Sequence, residues 1–314
     1  MNQPNIICLQ AGAYTAKINI HAGANCISLR NSAYHAQLLR EPADPAKLDN
    51  PYLYGMPILF PVNRISGGRF SFEGREYVFP VNEPTTGCHL HGVLHQIAFS
   101  LEQQEENKAV CVYRTEKQGR YMGFPHDFEI RICYELIEKG LAHTVWVTNL
   151  SDMNMPLLLG FHTTFNGCFI DGSKPENIWV KVPITEEYER NMKNYLPTGR
   201  KPAFDDVSRA LCDGQLCPFN KPFSRHYRSA YPGNMVIYDA GADLSLVYEN
   251  DEKYGFRLIY NGNADGYICL EPQTCLANCP NAPVDRAEGG FDWIAPGATK
   301  EYTSRIYLAK GDRR

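Results

Sequence analysis

Phe128-Glu129-Ile130-Arg131-Ile132-Cys133-Tyr134-Glu135-Leu136, then Glu138-Lys139-Gly140, then Leu141-Ala142-His143-Thr144-Val145-Trp146-Val147-Thr148-Asn149, is the stretch that decides the fold. Phe128, Ile130, Ile132, Tyr134 and Leu136 recur with period two, and Leu141, His143, Val145 and Val147 do so again. A period of two places each set on one side of a strand. Glu138-Lys139-Gly140 reads as the turn between them, and Asn149 as the end of the second strand. A third run, Leu157, Leu159 and Phe161, extends the pattern to three antiparallel neighbours with one face buried.

Outward from this centre the same signal recurs. Opening strands and hairpins are expected over 5–40, punctuated by Gly12 and Gly23, and further strands at 97–101, 109–113, 178–182, 234–239, 244–249, 255–260, 266–270 and 301–308. Glu73-Gly74 sits where a hairpin turn belongs, and Gly67-Gly68 suits a hairpin or bulge. Residues 41–53 read as a proline-containing loop and 185–230 as a polar, irregular stretch holding one short helix over 203–213. No repeat divides the chain. The expectation is one large antiparallel β-sandwich over residues 1–314, an all-β fold with few short helices.

Composition narrows the function. The chain has 314 residues and a net charge of −4, without a long basic run, so nucleic acid is not an expected partner. Met1-Asn2-Gln3-Pro4-Asn5 lacks the basic and apolar regions of a signal peptide, and no apolar window is long enough to span a membrane. The 11 cysteines are scattered, which points to reduced thiols and a cytoplasmic location. Cys212/Cys217 and Cys275/Cys279 have the wrong spacing for a zinc knuckle. Nucleophile elbows and phosphate-cradling glycine loops are absent from the sequence.

A few polar residues remain in apolar settings. His162 closes Leu157-Leu158-Leu159-Gly160-Phe161, and Glu271 closes Tyr267-Ile268-Cys269-Leu270. Each is either a satisfied core group or half of an acid–base pair. Burial would raise the carboxyl pKa and suit it to general-base work. Arg64, among Ile58, Leu59, Phe60 and Ile65, is either a structural ion pair or a ligand clamp. His89, His91 and His95 form a cluster that reads either as a zinc site or as one functional histidine with two packing neighbours.

Taken in order, these stretches resemble the aldose 1-epimerase (galactose mutarotase) family from about residue 55 to 308. The resemblance lies in Gly55-Met56-Pro57-Ile58-Leu59-Phe60-Pro61 with Asn63-Arg64-Ile65, then Leu90-His91-Gly92, and Asn149-Leu150-Ser151-Asp152 with Met155-Pro156. It continues through Phe161-His162 with Phe165-Asn166, Glu271-Pro272-Gln273-Thr274 and Pro296-Gly297. It implies a mutarotase-like supersandwich with the sugar in a cleft. Glu271 would be the base for the anomeric hydroxyl and His162 the acid for the ring oxygen, facing each other across a sugar-sized space. Arg64, His91, Asn63, Gln273 and His226 would bind substrate. No metal or organic cofactor is implied, and the expected partner is a small-molecule sugar, with a homodimer left open.

The chain also departs from the pattern. The family's substrate-binding aspartate before the strand near 234 has no counterpart in register, where the sequence reads Phe223-Ser224-Arg225-His226-Tyr227-Arg228. Arg225, His226 and Arg228 read either as a site for an anionic sugar, a phosphate or uronate, or as solvated loop charges. Three functions therefore stay in view: a hexose 1-epimerase, a hexose-6-phosphate 1-epimerase, and a non-catalytic carbohydrate-binding protein of the same fold.

Overall fold

A computed structural model describes residues 6–44, 50–118 and 121–314. The N-terminal pentapeptide and residues 45–49 of the expected proline-containing loop lie outside the described residues.

The reading of 128–149 holds in register. Strands Phe128–Ile137 and Gly140–Asn149 pair antiparallel, with Ile130 opposite Val147, Ile132 opposite Val145 and Leu136 opposite Leu141. Phe128, Ile130, Ile132, Tyr134 and Leu136 are all buried, while Arg131, Glu135 and Ile137 are half-buried. Slipping the strand by one residue would turn those five side chains away from the core. At about 1.5–3 kcal/mol each, the loss rivals the whole net stability of a domain, so the register is fixed.

The third run does not join this hairpin. Thr299–Lys310 takes that place, with Tyr302 opposite Val145. Met155–Leu157 pairs instead with Asp292–Ile294, and Gly160–Phe161 pairs with Ile58–Leu59 and with Tyr267–Gln273. The reason is visible in burial. Leu157, Leu158, Leu159, Gly160 and Phe161 are all buried, so the run is a segment covered on every side rather than a one-faced strand.

Two sheets carry the architecture. The larger has eight strands in the order Ser100–Gln104, Lys108–Arg114, Phe128–Ile137, Gly140–Asn149, Thr299–Lys310, Leu244–Asn250, Met235–Asp239 and Ile178–Lys181. The second runs Ile184–Tyr188, Ser224–Ser229, Phe256–Tyr260, Tyr267–Gln273, Gly160–Phe161 and Ile58–Leu59, and Thr164–Asn166 also pairs with Tyr267–Gln273. Ile130, Ile132 and Val145 of the first sheet and Phe161, Ile268 and Leu270 of the second belong to one apolar cluster. A four-stranded sheet over residues 6–37 packs into the same cluster through Ile7, Leu9, Ile18 and Leu29. The fold is a β-sandwich of antiparallel sheets.

The stretch 185–230 is more regular than expected. Ile184–Tyr188 and Ser224–Ser229 form an outer ladder, with Glu186 opposite Arg228 and Glu187 opposite Tyr227. Ion pairs Glu187–Arg225 at 3.0 Å and Glu186–Arg228 at 3.1 Å tie these strands together. Charged pairs bridging neighbouring strands erase the apolar alternation that marks a strand in sequence. The expected helix is shorter, Asp206–Cys212, capped by Asp205, whose carboxylate accepts from the Ser208 N–H at 3.0 Å. Glu73 (φ 47°) and Gly74 (φ 75°) do form a two-residue hairpin turn, between Arg69–Phe72 and Arg75–Val78.

Candidate active site

Alternation along Tyr267–Gln273 assigns the site. Ile268 and Leu270 enter the shared core, and Glu271 on the opposite face reaches a cavity of about 600 Å³. Gln273 stands two residues on, on the same face, and its Nε2 donates to Glu271 Oε2 at 3.1 Å. The adjoining segment obeys the same rule. Phe161 packs into the core, and His162 turns to the cavity. Backbone bonds from His162 N to Pro57 O (3.0 Å), Leu270 N to Thr163 O (2.9 Å) and Thr274 N to Leu159 O (2.9 Å) lock three distant stretches together.

His162 Nε2 thereby comes to 3.1 Å from Glu271 Oε1. The two do not flank a space, as expected, but touch side by side on one wall. Glu271 is fully buried, and burial raises its carboxyl to about 8, against the hydrogen bond from Gln273, which lowers it. Burial also pushes the His162 imidazole down to about 3. At neutral pH the pair therefore holds one proton, on the carboxyl, with a neutral imidazole beside it. Such a pair titrates as a unit.

His91 and Asn63 complete the same wall. Both adopt left-handed backbone, φ 62° and 60°, and are locked by reciprocal bonds. His91 N donates to Asn63 O at 3.0 Å, and Asn63 N donates to His91 Nδ1 at 3.3 Å. Burial first, then the neighbouring imidazole and guanidinium charges, holds His91 well below the usual histidine range, so it is neutral. With Nδ1 accepting, its proton is on Nε2. Asn63 uses Nδ2 to donate to Gln273 Oε1 at 3.2 Å. Gln273 does not line the cavity. It joins Asn63 to Glu271 from behind and fixes the carboxyl.

Arg64 lines the cavity with its guanidinium held by Glu83, at 2.6 Å through Nε and 2.7 Å through Nη2. Its face covers the Tyr195 ring at 4.7 Å. Tyr52, Arg190 and Tyr195 are among the lining residues that had no signal in the sequence. Tyr52, from the expected loop, sets its ring 4.8 Å from His91 and 5.9 Å from His162 and steers both imidazoles. Arg190 and Tyr195 come from the stretch read as irregular. Arg190 is 8% exposed, and Nη2 donates to the carbonyl and hydroxyl oxygens of Ser224.

Other expectations fall away from the cavity. His226 is fully buried, beside Phe256 at 5.9 Å, and does not line it. Its strand turns that side chain inward between Tyr188 and Leu258, its ladder neighbours. Arg225 is paired with Glu187 and Asp205, and Arg228 with Glu186. The histidine cluster diverges. His89 Nδ1 is 2.7 Å from Pro80 O, His95 packs on Tyr52 at 4.7 Å, and only His91 lines the cavity. Among the described residues no group of three or more His, Cys, Asp or Glu is arranged to hold a metal ion.

Comparison with known proteins agrees with this fold. The aldose 1-epimerase family model matches residues 5–307. A galactose mutarotase-like protein from Clostridium acetobutylicum is 30% identical, with a TM-score of 0.90 over 97% of this chain and 95% of that one. An aldose epimerase homologue from C. elegans superposes with a TM-score of 0.74 over 98% and 99% of the two chains at 17% identity, a likeness of fold alone. The uncharacterized protein YihR of Escherichia coli is 26% identical over 160 residues, which span 46% of this chain and 51% of that protein. The match thus spans about half the length of that relative.

Proposed function

We propose that this chain, which belongs to the aldose 1-epimerase family, interconverts the α and β anomers of an aldose by acid–base ring opening and closure. The observation that carries the reading is the 3.1 Å contact between His162 Nε2 and Glu271 Oε1 on the cavity wall. The anomeric hydroxyl and the ring oxygen are bonded to the same carbon. A base and an acid that must serve two such neighbours in one step have to stand side by side, as these do.

The steps follow from the proton inventory. The working form is the tautomer with Glu271 as carboxylate and His162 as imidazolium, which has the same single proton as the resting pair. Glu271 takes the proton from the anomeric hydroxyl while His162 gives one to the ring oxygen. The bond from C1 to the ring oxygen breaks, leaving an open-chain aldehyde. Rotation about the bond next to the aldehyde carbon presents its other face. The ring hydroxyl then attacks, returning its proton to His162 while Glu271 protonates the new anomeric oxygen. The pair ends with the proton count it began with, so no cofactor has to be regenerated. The Nε2–H of His91 and the free nitrogen of Arg64, Nη1, are donors for sugar oxygens, and they support charge that develops during ring opening.

A cytoplasmic setting accords with eleven free thiols. The test is polarimetry, or anomeric-proton NMR, on freshly dissolved α-glucose, α-galactose and their anionic counterparts. Acceleration above the spontaneous rate is expected, abolished in Glu271→Gln and in His162→Asn. If no sugar in the panel is accelerated, the catalytic reading fails and the carbohydrate-binding alternative takes its place.

A further inference from the structure

Four arginine or glutamate side chains line the cavity: Arg64, Glu83, Arg190 and Glu271. Arg64 and Glu83 neutralise each other through two hydrogen bonds. Arg190 differs. It forms no ion pair with any described Asp or Glu, and the oxygens it meets, both of Ser224, are uncharged. Its Nε and Nη1 make no hydrogen bond with a described residue, and neither is among the polar atoms sealed without a partner. Both therefore keep accessible surface, and Arg190 lines this cavity as well as an adjoining one bounded by Glu187, Asp205 and Arg225.

Arg257 supplies the contrast. It too is buried without a carboxylate, but both of its terminal nitrogens are used, by Asn250 Oδ1 at 2.7 Å and Tyr231 Oη at 2.8 Å, and it does not line the cavity. A buried guanidinium with no counter-ion is costly unless something completes it. Glu271 offers little compensation at neutral pH, since burial keeps its proton on up to about pH 8. Tyr195 meets Arg190 through its ring, 5.8 Å away, which steadies the cation without cancelling its charge.

We infer that Arg190 is a specificity-determining residue that pairs with an anionic group on the sugar, so that the preferred substrate is a negatively charged aldose, a uronate or a sugar phosphate. The reacting carbon lies against His162 and Glu271. Arg190 belongs to a separate element, held in place by a backbone bridge to Pro197. The inference rests on the sugar-epimerising reading of the same cavity. It moves the anion site from residues 225–228, whose arginines are already paired, to a residue that is not.

The test compares glucose and galactose with glucuronate, galacturonate and glucose 6-phosphate in the wild-type protein, Arg190→Met and Arg190→Lys, with anomer exchange followed by NMR. The wild type is expected to favour one anionic sugar over its neutral counterpart in kcat/KM. Arg190→Met should lower the anionic-to-neutral ratio by about tenfold or more, chiefly through KM. Arg190→Lys should restore part of it. Uronate and phosphate arms separate the two sources of charge. A ratio unchanged in Arg190→Met, with both variants melting as the wild type does, overturns the inference, as does a wild type that prefers neutral sugars. Should no sugar be turned over, ligand-observed NMR decides. Binding of glucuronate or glucose 6-phosphate that is lost in Arg190→Met and partly kept in Arg190→Lys refutes the epimerase reading alone, and binding indifferent to Arg190 refutes this inference.

Discussion

Replacing Glu271 by glutamine should abolish catalysis and at the same time stabilise the protein at alkaline pH. The side chain is fully buried and its carboxyl is raised from 4.5 to about 8, chiefly by burial. In the unfolded chain the same carboxyl ionises near 4.5. Between these two values the unfolded state has lost its proton and the folded state has kept it, so native stability falls as pH rises. Above pH 8 the accumulated cost is on the order of 3–5 kcal/mol, the lower figure allowing for water in the open cavity. Glutamine escapes this cost, and its carbonyl can still accept from Gln273 Nε2, the bond now made at 3.1 Å. Urea denaturation at pH 5 and pH 9 checks the sum. The variant should match the wild type within about 1–2 kcal/mol at pH 5 and exceed it by about 3–5 kcal/mol at pH 9. Its epimerase rate should drop by about 10²–10⁴ at every pH, the usual worth of a positioned base. A stability difference that does not grow with pH would refute the reasoning, because Glu271 would then not be carrying a proton into the neutral range.

The shared proton also sets a rate profile. Epimerase activity should stay level from about pH 5 to 7.5 and fall as the pair loses its last proton near 8, and a rate that climbs through pH 8 in a stopped-flow polarimetric titration would rule out that arrangement. Gln273→Leu removes the hydrogen bond that lowers the Glu271 pKa, so the alkaline limb should move upward, with about 1–3 kcal/mol of stability lost as Asn63 Nδ2 and Glu271 Oε2 lose their bonds to Gln273; the pH–rate profile and a urea melt read both effects. Tyr52 acts through its ring on His91 and His162, so Tyr52→Phe should keep near-normal kcat/KM while Tyr52→Ala loses about tenfold or more, a misplaced catalytic group being costly.

The parts of the fold legible in sequence are those where one face of a strand is buried. Phe128 to Val147 alternates strictly, and the register follows. His162 and Glu271 were legible as candidates for a related reason. Each is a titratable group ending an apolar run, which is how a strand looks when it passes out of the core into a cavity. Asn63 and Gln273 stood out only through the family resemblance, and only the geometry separates Gln273, which holds Glu271 from behind, from residues that face the cavity. His226 misled because an imidazole in a polar stretch looks available, whereas the ladder between Tyr188 and Leu258 turns it inward. Tyr52, Arg190 and Tyr195 gave no periodic signal. Their positions depend on partners far along the chain, as when Arg190 reaches Ser224, 34 residues on.

Thr299–Lys310 lies between Gly140–Asn149 and Leu244–Asn250 in the eight-stranded sheet. It is also the last strand in the sequence. During synthesis the sheet therefore exists as two unjoined parts, each with an open edge, until that strand has been translated. Such edges invite pairing with other chains, and contacts of this sequence separation form late. The nascent protein would then depend on shielding until Thr299–Lys310 has been translated. Ribosome-bound chains arrested at residue 298 should be cut readily by protease while released chains of residues 1–314 resist, and equal resistance would mean that the two parts close without their central strand.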